Sequence, residues 1–256
     1  MTCQQQNRPA FDAPEPRRDW SLFLDIDGTL IDIAETPEAV IVPDTLSSTL
    51  AAARDWLGGA LAIVSGRPFA KIDELMAPLV LPCAGEHGAI LRLPDGTIRK
   101  ADALSAVPEP WQQRVRAAVR NWNGLVVEYK RYSIAAHFRQ VPERQDDLRK
   151  LFDSVVAEDS GDFEVLPARM AYEIRHRALN KGTAVREFMK HPPFRGRVPV
   201  FVGDDVTDED GFSAAREMGG LALHVNEAFG KQPSNVRRWL ESFRTHKAGP
   251  GQEDIE

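Results

Sequence analysis

The sequence predicts an α/β protein: a Rossmann-like, mostly parallel sheet with helices on both faces, and a smaller α/β domain inserted into it. Three observations predict this. Four short apolar runs are continuous rather than alternating, as strands buried on both faces require. The segments between them carry apolar residues at helical spacing. In Leu125–Arg139 and Phe163–Arg175 the pattern changes to alternation of apolar and polar residues, the mark of an open sheet with one wet face.

The first run is Leu22–Leu24, preceded by a Gln-, Pro- and Arg-rich stretch, Met1–Arg18, that reads as a flexible leader. Thr45–Leu57 follows with apolar positions at helical spacing, then the second run, Ala60–Val64, and a helix start at Pro68–Met76. In the inserted part, helical segments near Trp111–Trp122 and Arg144–Val156 would cover one face of a sheet formed by Leu125–Arg139 and Phe163–Arg175. Alternation puts Glu128 and Lys130 on one side. It also puts Ser133, His137 and Arg139 opposite Tyr132, Ile134 and Phe138, and Glu173 with Arg175. Gly182–Met189 is a further helix, and Val198–Val202 and Leu221–Val225 are the last two runs. The division that follows is a leader at 1–18, a larger core domain at 19–103 and 177–244, an inserted α/β domain at 104–176 and a flexible tail at 245–256.

Composition narrows the function classes. The 256 residues carry a formal charge of −6, with 43% hydrophobic and 27% charged residues. That balance argues against broad attraction to nucleic acid phosphates. No apolar run approaches the roughly 20 residues that span a bilayer, and no secretory signal opens the chain, so a cytoplasmic protein without a membrane partner is expected. Cys3 and Cys83 give neither a disulfide framework nor metal-ligand spacing. A monomer or small homo-oligomer is expected.

Ligands of such sheets collect beyond the carboxyl ends of the strands. Here those ends read Asp25-Ile26-Asp27-Gly28-Thr29, Ser65-Gly66-Arg67 and Gly203-Asp204-Asp205. Two carboxylates two residues apart, with a sharp turn available at Gly28, suit a division of labour in phosphoryl transfer; an Asp-Gly turn that merely ends a strand is the simpler alternative. A phosphate site in an acidic protein also needs local positive charge or a divalent cation.

These stretches, with Lys181-Gly182 and the continuation Val206-Thr207-Asp208-Glu209, resemble the four ordered motifs of the haloacid dehalogenase-like phosphatases. The resemblance implies that Asp25 is the nucleophile and that Asp27 protonates the leaving alkoxide, then activates water. It implies Mg²⁺ held by Asp25, the Asp27 backbone carbonyl and Asp204, with Asp208 at the metal site or holding water. Ser65 would donate to a phosphoryl oxygen and Lys181 would neutralise charge, with Gly66 and Arg67 beside the substrate.

Three further segments, Gly85-Glu86-His87-Gly88, Glu128 to Arg139 and Glu173-Ile174-Arg175, are similar to trehalose-6-phosphate phosphatases, in which inserted-domain residues grip the sugar. Substrate contacts would come from Glu86, His87, Glu128, Lys130, His137, Arg139 and Glu173, since carboxylates and cations recognise hydroxyls. His176-Arg177 departs from the family, which often has a proline there. The resemblance implies a small sugar phosphate as substrate, trehalose 6-phosphate first. Sucrose, mannosylglycerate or glucosylglycerate phosphates are alternatives, and a non-catalytic sugar-phosphate sensor is a third.

Overall fold

The computed structural model describes residues 12–36, 39–101, 104–158 and 161–245; Cys3, residues 1–11 of the expected leader and residues 246–256 of the expected tail lie outside the described residues. The chain runs β1 (Trp20–Leu24), α1 (Leu46–Trp56), β2 (Leu61–Val64), α2 (Phe69–Met76) and then three short strands, β3 (Cys83–Gly85), β4 (Ile90–Arg92) and β5 (Ile98–Lys100). A second group follows: α3 (Glu109–Val119), β6 (Val126–Tyr129), β7 (Ser133–His137), α4 (Gln145–Val156), β8 (Phe163–Ala168) and β9 (Ala171–His176). The chain then returns through α5 (Lys181–Phe188), β10 (Val198–Gly203), α6 (Glu209–Glu217), β11 (Leu221–His224), α7 (Val225–Ala228) and α8 (Pro233–Thr245).

The large sheet has the order β11-β10-β1-β2-β3-β4-β5, parallel from β11 to β3 and antiparallel at β4 and β5. All five residues of β1 are buried, as a strand covered on both faces must be. Its one polar side chain, Ser21, is satisfied by donating to the Phe194 carbonyl at 3.0 Å. Alternation sends Trp20 against Trp239 of α8 and Phe23 against Phe188 of α5, so helices pack on both faces. The four expected strands are present, and β3 to β5 extend the sheet beyond them.

Residues 12–18, expected within the flexible leader, instead lie along the core. The Asp12 amide donates to the Ala228 carbonyl at 2.9 Å, Trp239 Nε1 donates to the Pro14 carbonyl at 2.9 Å, and Arg18 stacks over Trp56 at 4.4 Å. Buried indole N–H groups need acceptors, and this segment supplies one.

The second sheet is antiparallel throughout, in the order β6-β7-β9-β8. On one face Trp111 and Val115 of α3 and Leu148, Phe152 and Val155 of α4 pack against Ile134, Ala136, Phe138, Phe163 and Ile174. This is an apolar core separate from that of the large sheet. Tyr132, expected beside Ile134 and Phe138, packs instead with Ala89 and Leu179. It lies in the bend before β7 begins, where alternation does not yet hold. At the return to the large sheet, without a proline, His176 packs edge-on against Phe163 and its Nδ1 accepts from the Ala178 amide at 3.2 Å.

Arg175 of β9 ties the two layers. Its Nε donates to Glu164 at 3.1 Å and its Nη2 to Asp210 of α6 at 2.9 Å. The smaller sheet thus turns its open face toward the carboxyl ends of β1, β2 and β10.

Candidate active site

Asp25 leaves β1 at the sheet's carboxyl edge, its amide donating to the Val202 carbonyl of β10 at 3.0 Å. The chain then turns at Gly28, whose φ is +74°. A Cβ there would lie 2.1 Å from Asp204 Oδ2, so only glycine lets the two acidic segments close on each other. Lys181 starts α5 behind an Asn180 cap that accepts from the Thr183 amide at 2.8 Å. That cap aims the ammonium inward: Nζ donates to Asp25 Oδ1 at 2.8 Å and to Asp208 Oδ1 at 2.6 Å. Asp208 is fully buried, and its other oxygen accepts from the amides of Asp204 at 3.0 Å and Asp205 at 3.2 Å. It anchors both the lysine and the loop that presents Asp204. The capping of the turn at Val206–Asp208 falls to Asp205, which accepts from the Thr207 amide at 2.8 Å.

The electrostatics of this cluster are dominated by crowded, buried carboxylates around one ammonium. Burial pushes the Asp25 carboxyl well up, Lys181 pulls it back, and Asp208, Asp204 and Asp27 add to the rise. Burial, with Asp205 and Asp208, raises Asp204 to about 7. Burial works against the Lys181 ammonium, yet Asp208 and Asp25 outweigh it and hold it above the ordinary lysine range. Oxygens of Asp25, Asp204 and Asp208 lie within 4.8 Å of one another. An all-oxygen set crowded enough to resist ionisation by itself fits a hard divalent cation.

The second strand end brings Ser65, Gly66 and Arg67. Ser65 Oγ accepts from the Arg67 amide at 3.2 Å, and the Arg67 guanidinium grips Asp27 with both prongs. Gly66 is a contact point between the layers: its carbonyl accepts from Lys130 Nζ at 3.1 Å, and a Cβ on it would meet the His87 ring at 2.6 Å. Glu86 and His87 form a tight 3-10 turn with positive φ, 49° and 57°, that pushes His87 toward the smaller sheet. His87 Nε2 lies 2.8 Å from Glu173 Oε2, both side chains buried.

On the open face of the smaller sheet Lys130 Nζ stands 3.5 Å from Glu128 and 3.8 Å from Glu173, while His137 Nε2 lies 2.8 Å from Glu128. Burial alone would raise the Glu128 carboxyl, but the hydrogen bond from His137 and the charge of Lys130 hold it down at about 2. Glu173 is likewise held low, burial being outweighed by His87 and Lys130. Burial opposes the Lys130 ammonium, and Glu173 and Glu128 nevertheless keep it raised. Three fixed charges thus meet in one wall, with Glu86 Oε2 and Glu173 Oε1 buried and without a hydrogen-bond partner. A buried acceptor left unpaired is costly, and Glu173 Oε1 belongs to a residue that lines the cavity.

One cavity of about 400 Å³ joins the two sets. Asp25, Asp27, Ser65, Gly66, Arg67, Lys181 and Asp204 line its floor, and His87, Glu128, Lys130, His137, Arg139 and Glu173 its walls. Of the residues to which the sequence assigned a catalytic, substrate or metal role, Asp208 and Glu86 do not line it: Asp208 stands behind Lys181 and Glu86 is packed beside His87.

The trehalose-phosphatase family model matches residues 23–244, nearly all of the described chain. The chain belongs to the trehalose-phosphatase family. A probable trehalose-phosphate phosphatase of Sinorhizobium fredii is 43% identical over 221 residues, covering 84% of this chain and 83% of its own. The trehalose-6-phosphate phosphatase of Escherichia coli K12 is 33% identical over 244 residues, covering 93% and 91%. Among solved structures, the C-terminal domain of Candida albicans trehalose-6-phosphate phosphatase superposes with a TM-score of 0.74 at 21% identity, over 89% of this chain and 93% of that one. That likeness carries the fold.

Within this family member, sequence reasoning missed several residues of the cavity. Ile33, Ala34, Glu35, Thr36 and Val40 come from the segment after the first motif, and Lys71 from α2. Arg169, at the tip between β8 and β9, also lines it. Arg169 falls at the turn inside the alternating stretch Phe163–Arg175, where alternation assigns no face; the others lie neither at a strand end nor on an alternating strand, the two signals that located the predicted residues.

Proposed function

We propose that this chain is a metal-dependent phosphatase that hydrolyses trehalose 6-phosphate to trehalose and inorganic phosphate, the last step of trehalose synthesis. Residues 19–103 and 177–244 form the catalytic core in this reading, and 104–176 a cap over it. The observation that carries it is the single cavity in which a buried Asp25–Lys181 pair faces a wall of Glu128, Lys130 and Glu173. One end of the cavity suits a phosphoryl group and the other a hydroxyl-rich sugar.

Asp25 attacks phosphorus in line with the sugar oxygen, and the P–O bond to the sugar breaks. Asp27 gives its proton to the departing alkoxide, which calls for one prong of the Arg67 fork to release the protonated oxygen while the other keeps the carboxyl in place. The aspartyl-phosphate is then hydrolysed: Asp27, now a carboxylate, takes a proton from water, the water oxygen bonds phosphorus, and Asp25 is regenerated as phosphate leaves. Lys181 holds Asp25 in place and offsets charge on the phosphoryl oxygens, and Ser65 donates its hydroxyl to one of them. Asp25, the Asp27 backbone carbonyl and Asp204 would hold Mg²⁺, with Asp208 at the metal site behind them, anchoring Lys181 and the loop that presents Asp204. Mg²⁺ when bound supplies the positive charge that keeps Asp25 ionised and neutralises the phosphoryl group. Glu128, Lys130 and Glu173 grip sugar hydroxyls, and His137, Arg139, His87 and Glu86 fix that grip or extend it.

The test is phosphate release from trehalose 6-phosphate beside sucrose, mannosylglycerate and glucosylglycerate phosphates, with and without chelator. Trehalose 6-phosphate is expected to be turned over fastest, and only without chelator. Faster release from another sugar phosphate would replace the substrate assignment.

A further inference from the structure

Arg175 is a buried cation of the smaller sheet that does not line the cavity. On β9 it stands opposite Ser133 of β7 and Glu164 of β8. The next row of the same sheet is Glu128, Ala135 and Glu173, whose two carboxylates belong to the sugar wall. Residues two apart on a strand share a face, so Arg175 and Glu173 point the same way from positions about 7 Å apart. Within its own sheet the guanidinium is braced: Nε donates to Glu164 at 3.1 Å, and Glu164 also accepts from Arg177 at 3.1 Å. Nη1 is buried without a hydrogen-bond partner. The prong that reaches the other layer is Nη2, which donates to Asp210 Oδ2 at 2.9 Å.

The anchor at the far end of that bond belongs to the catalytic floor. Asp210 is the second residue of α6, which begins directly after Asp208, the carboxylate that holds Lys181. A Cβ on Gly182 would lie 2.3 Å from the Asp210 carbonyl oxygen, so a glycine after Lys181 is what lets the starts of α5 and α6 meet. One guanidinium therefore ties the strand that carries Glu173 to the point where the helices aiming Lys181 and Asp208 touch.

We propose that Arg175 is a positioning residue: by holding Asp210 it sets where the row of Glu128 and Glu173 stands over the phosphoryl site. The inference rests on the phosphatase reading of the cavity. Loss of the bond lets the smaller sheet tilt and carries its whole row with it, while α5 and α6 keep their own contact. Recognition of the sugar then suffers and the chemistry at phosphorus does not, because sugar contacts out of place no longer lower the barrier.

The experiment is a double-mutant cycle of Arg175→Lys and Asp210→Asn, read with Mg²⁺ on trehalose 6-phosphate and on p-nitrophenyl phosphate, which bears no sugar. Deleting the buried guanidinium outright would strip Glu164 of a partner; lysine keeps the charge but loses the fork that reaches both carboxylates. The Asp210 side chain is 39% exposed, so Asp210→Asn leaves the fold intact. Each single variant is expected to lower kcat/KM for trehalose 6-phosphate about tenfold, the worth of one charge-assisted hydrogen bond, and the double variant no further. Turnover of p-nitrophenyl phosphate, inhibition by inorganic phosphate and the Mg²⁺ concentration that half-stabilises the fold should match wild type. Unchanged kcat/KM in Asp210→Asn would overturn the proposal, as would additive losses in the double variant. Equal losses on both esters, or a shifted Mg²⁺ requirement, would also overturn it, since Asp210 would then act on the metal loop. A wild type that cleaves another sugar phosphate faster fails only the substrate assignment, and the cycle is decided on that ester by the same outcomes. A wild type that cleaves no phosphate ester fails the phosphatase reading, and this inference with it.

Discussion

Arg67 holds Asp27 by both carboxylate oxygens: Nε is 2.6 Å from Oδ2 and Nη2 is 2.6 Å from Oδ1. The fork fixes the plane of the carboxylate, not merely its charge. Removing it with Arg67→Ala should lower kcat about 10- to 100-fold, the cost of a misplaced acid. Arg67→Lys should recover little, because an ammonium cannot make the two-pronged contact. Steady-state kinetics on both variants check this.

Gly28 is the second point where geometry admits one residue. Gly28→Ala places a Cβ at φ +74°, 2.1 Å from Asp204 Oδ2, so Asp204 must move. The left-handed backbone costs about 1–2 kcal/mol by itself. The variant is expected to melt several degrees lower and to lose most of its stabilisation by added Mg²⁺, read by thermal unfolding with and without the cation.

Glu128 makes stability depend on pH. Its folded carboxyl titrates at about 2, below its ordinary 4.5, so it contributes stability that is complete above pH 4.5 and is lost as pH falls toward 2. The contribution is at most roughly 3 kcal/mol. Glu128→Gln should therefore be less stable than wild type at pH 7, with the gap closing between pH 4.5 and about 2. Denaturant unfolding across that range measures it.

Cys83 lies fully buried in β3, and burial pushes its thiol up to about 12. A thiolate is the reactive form, so this thiol should be inert in the native protein. In a Cys3→Ser background, a thiol reagent should label nothing in buffer and one equivalent in guanidinium chloride.

Much of the site was legible because buried parallel strands require continuous apolar runs, and Leu22–Leu24, Ala60–Val64 and Val198–Val202 are such runs with polar groups at their ends. Alternation likewise put Glu128, Lys130 and His137 on one wall. What escaped has a shared cause. Strands β3, β4 and β5 have three residues each, too few for a period to register. Tyr132 sits in a bend, where alternation has no meaning. Arg169 reaches Asp204 only because of how one sheet docks on the other, and the Arg175–Asp210 bond that helps set this docking joins residues 35 apart in sequence. The order along residues 12–18 depends on acceptors for Trp239 and on a ring for Arg18, neither visible in that segment's own composition.

The central claim is that Asp25 carries the phosphoryl group. Asp25→Asn keeps the side chain's shape and removes the nucleophilic oxygen's charge. With trehalose 6-phosphate and Mg²⁺, and with a melting profile confirming the fold, this variant is expected to release no phosphate. Turnover at the wild-type rate would contradict the account.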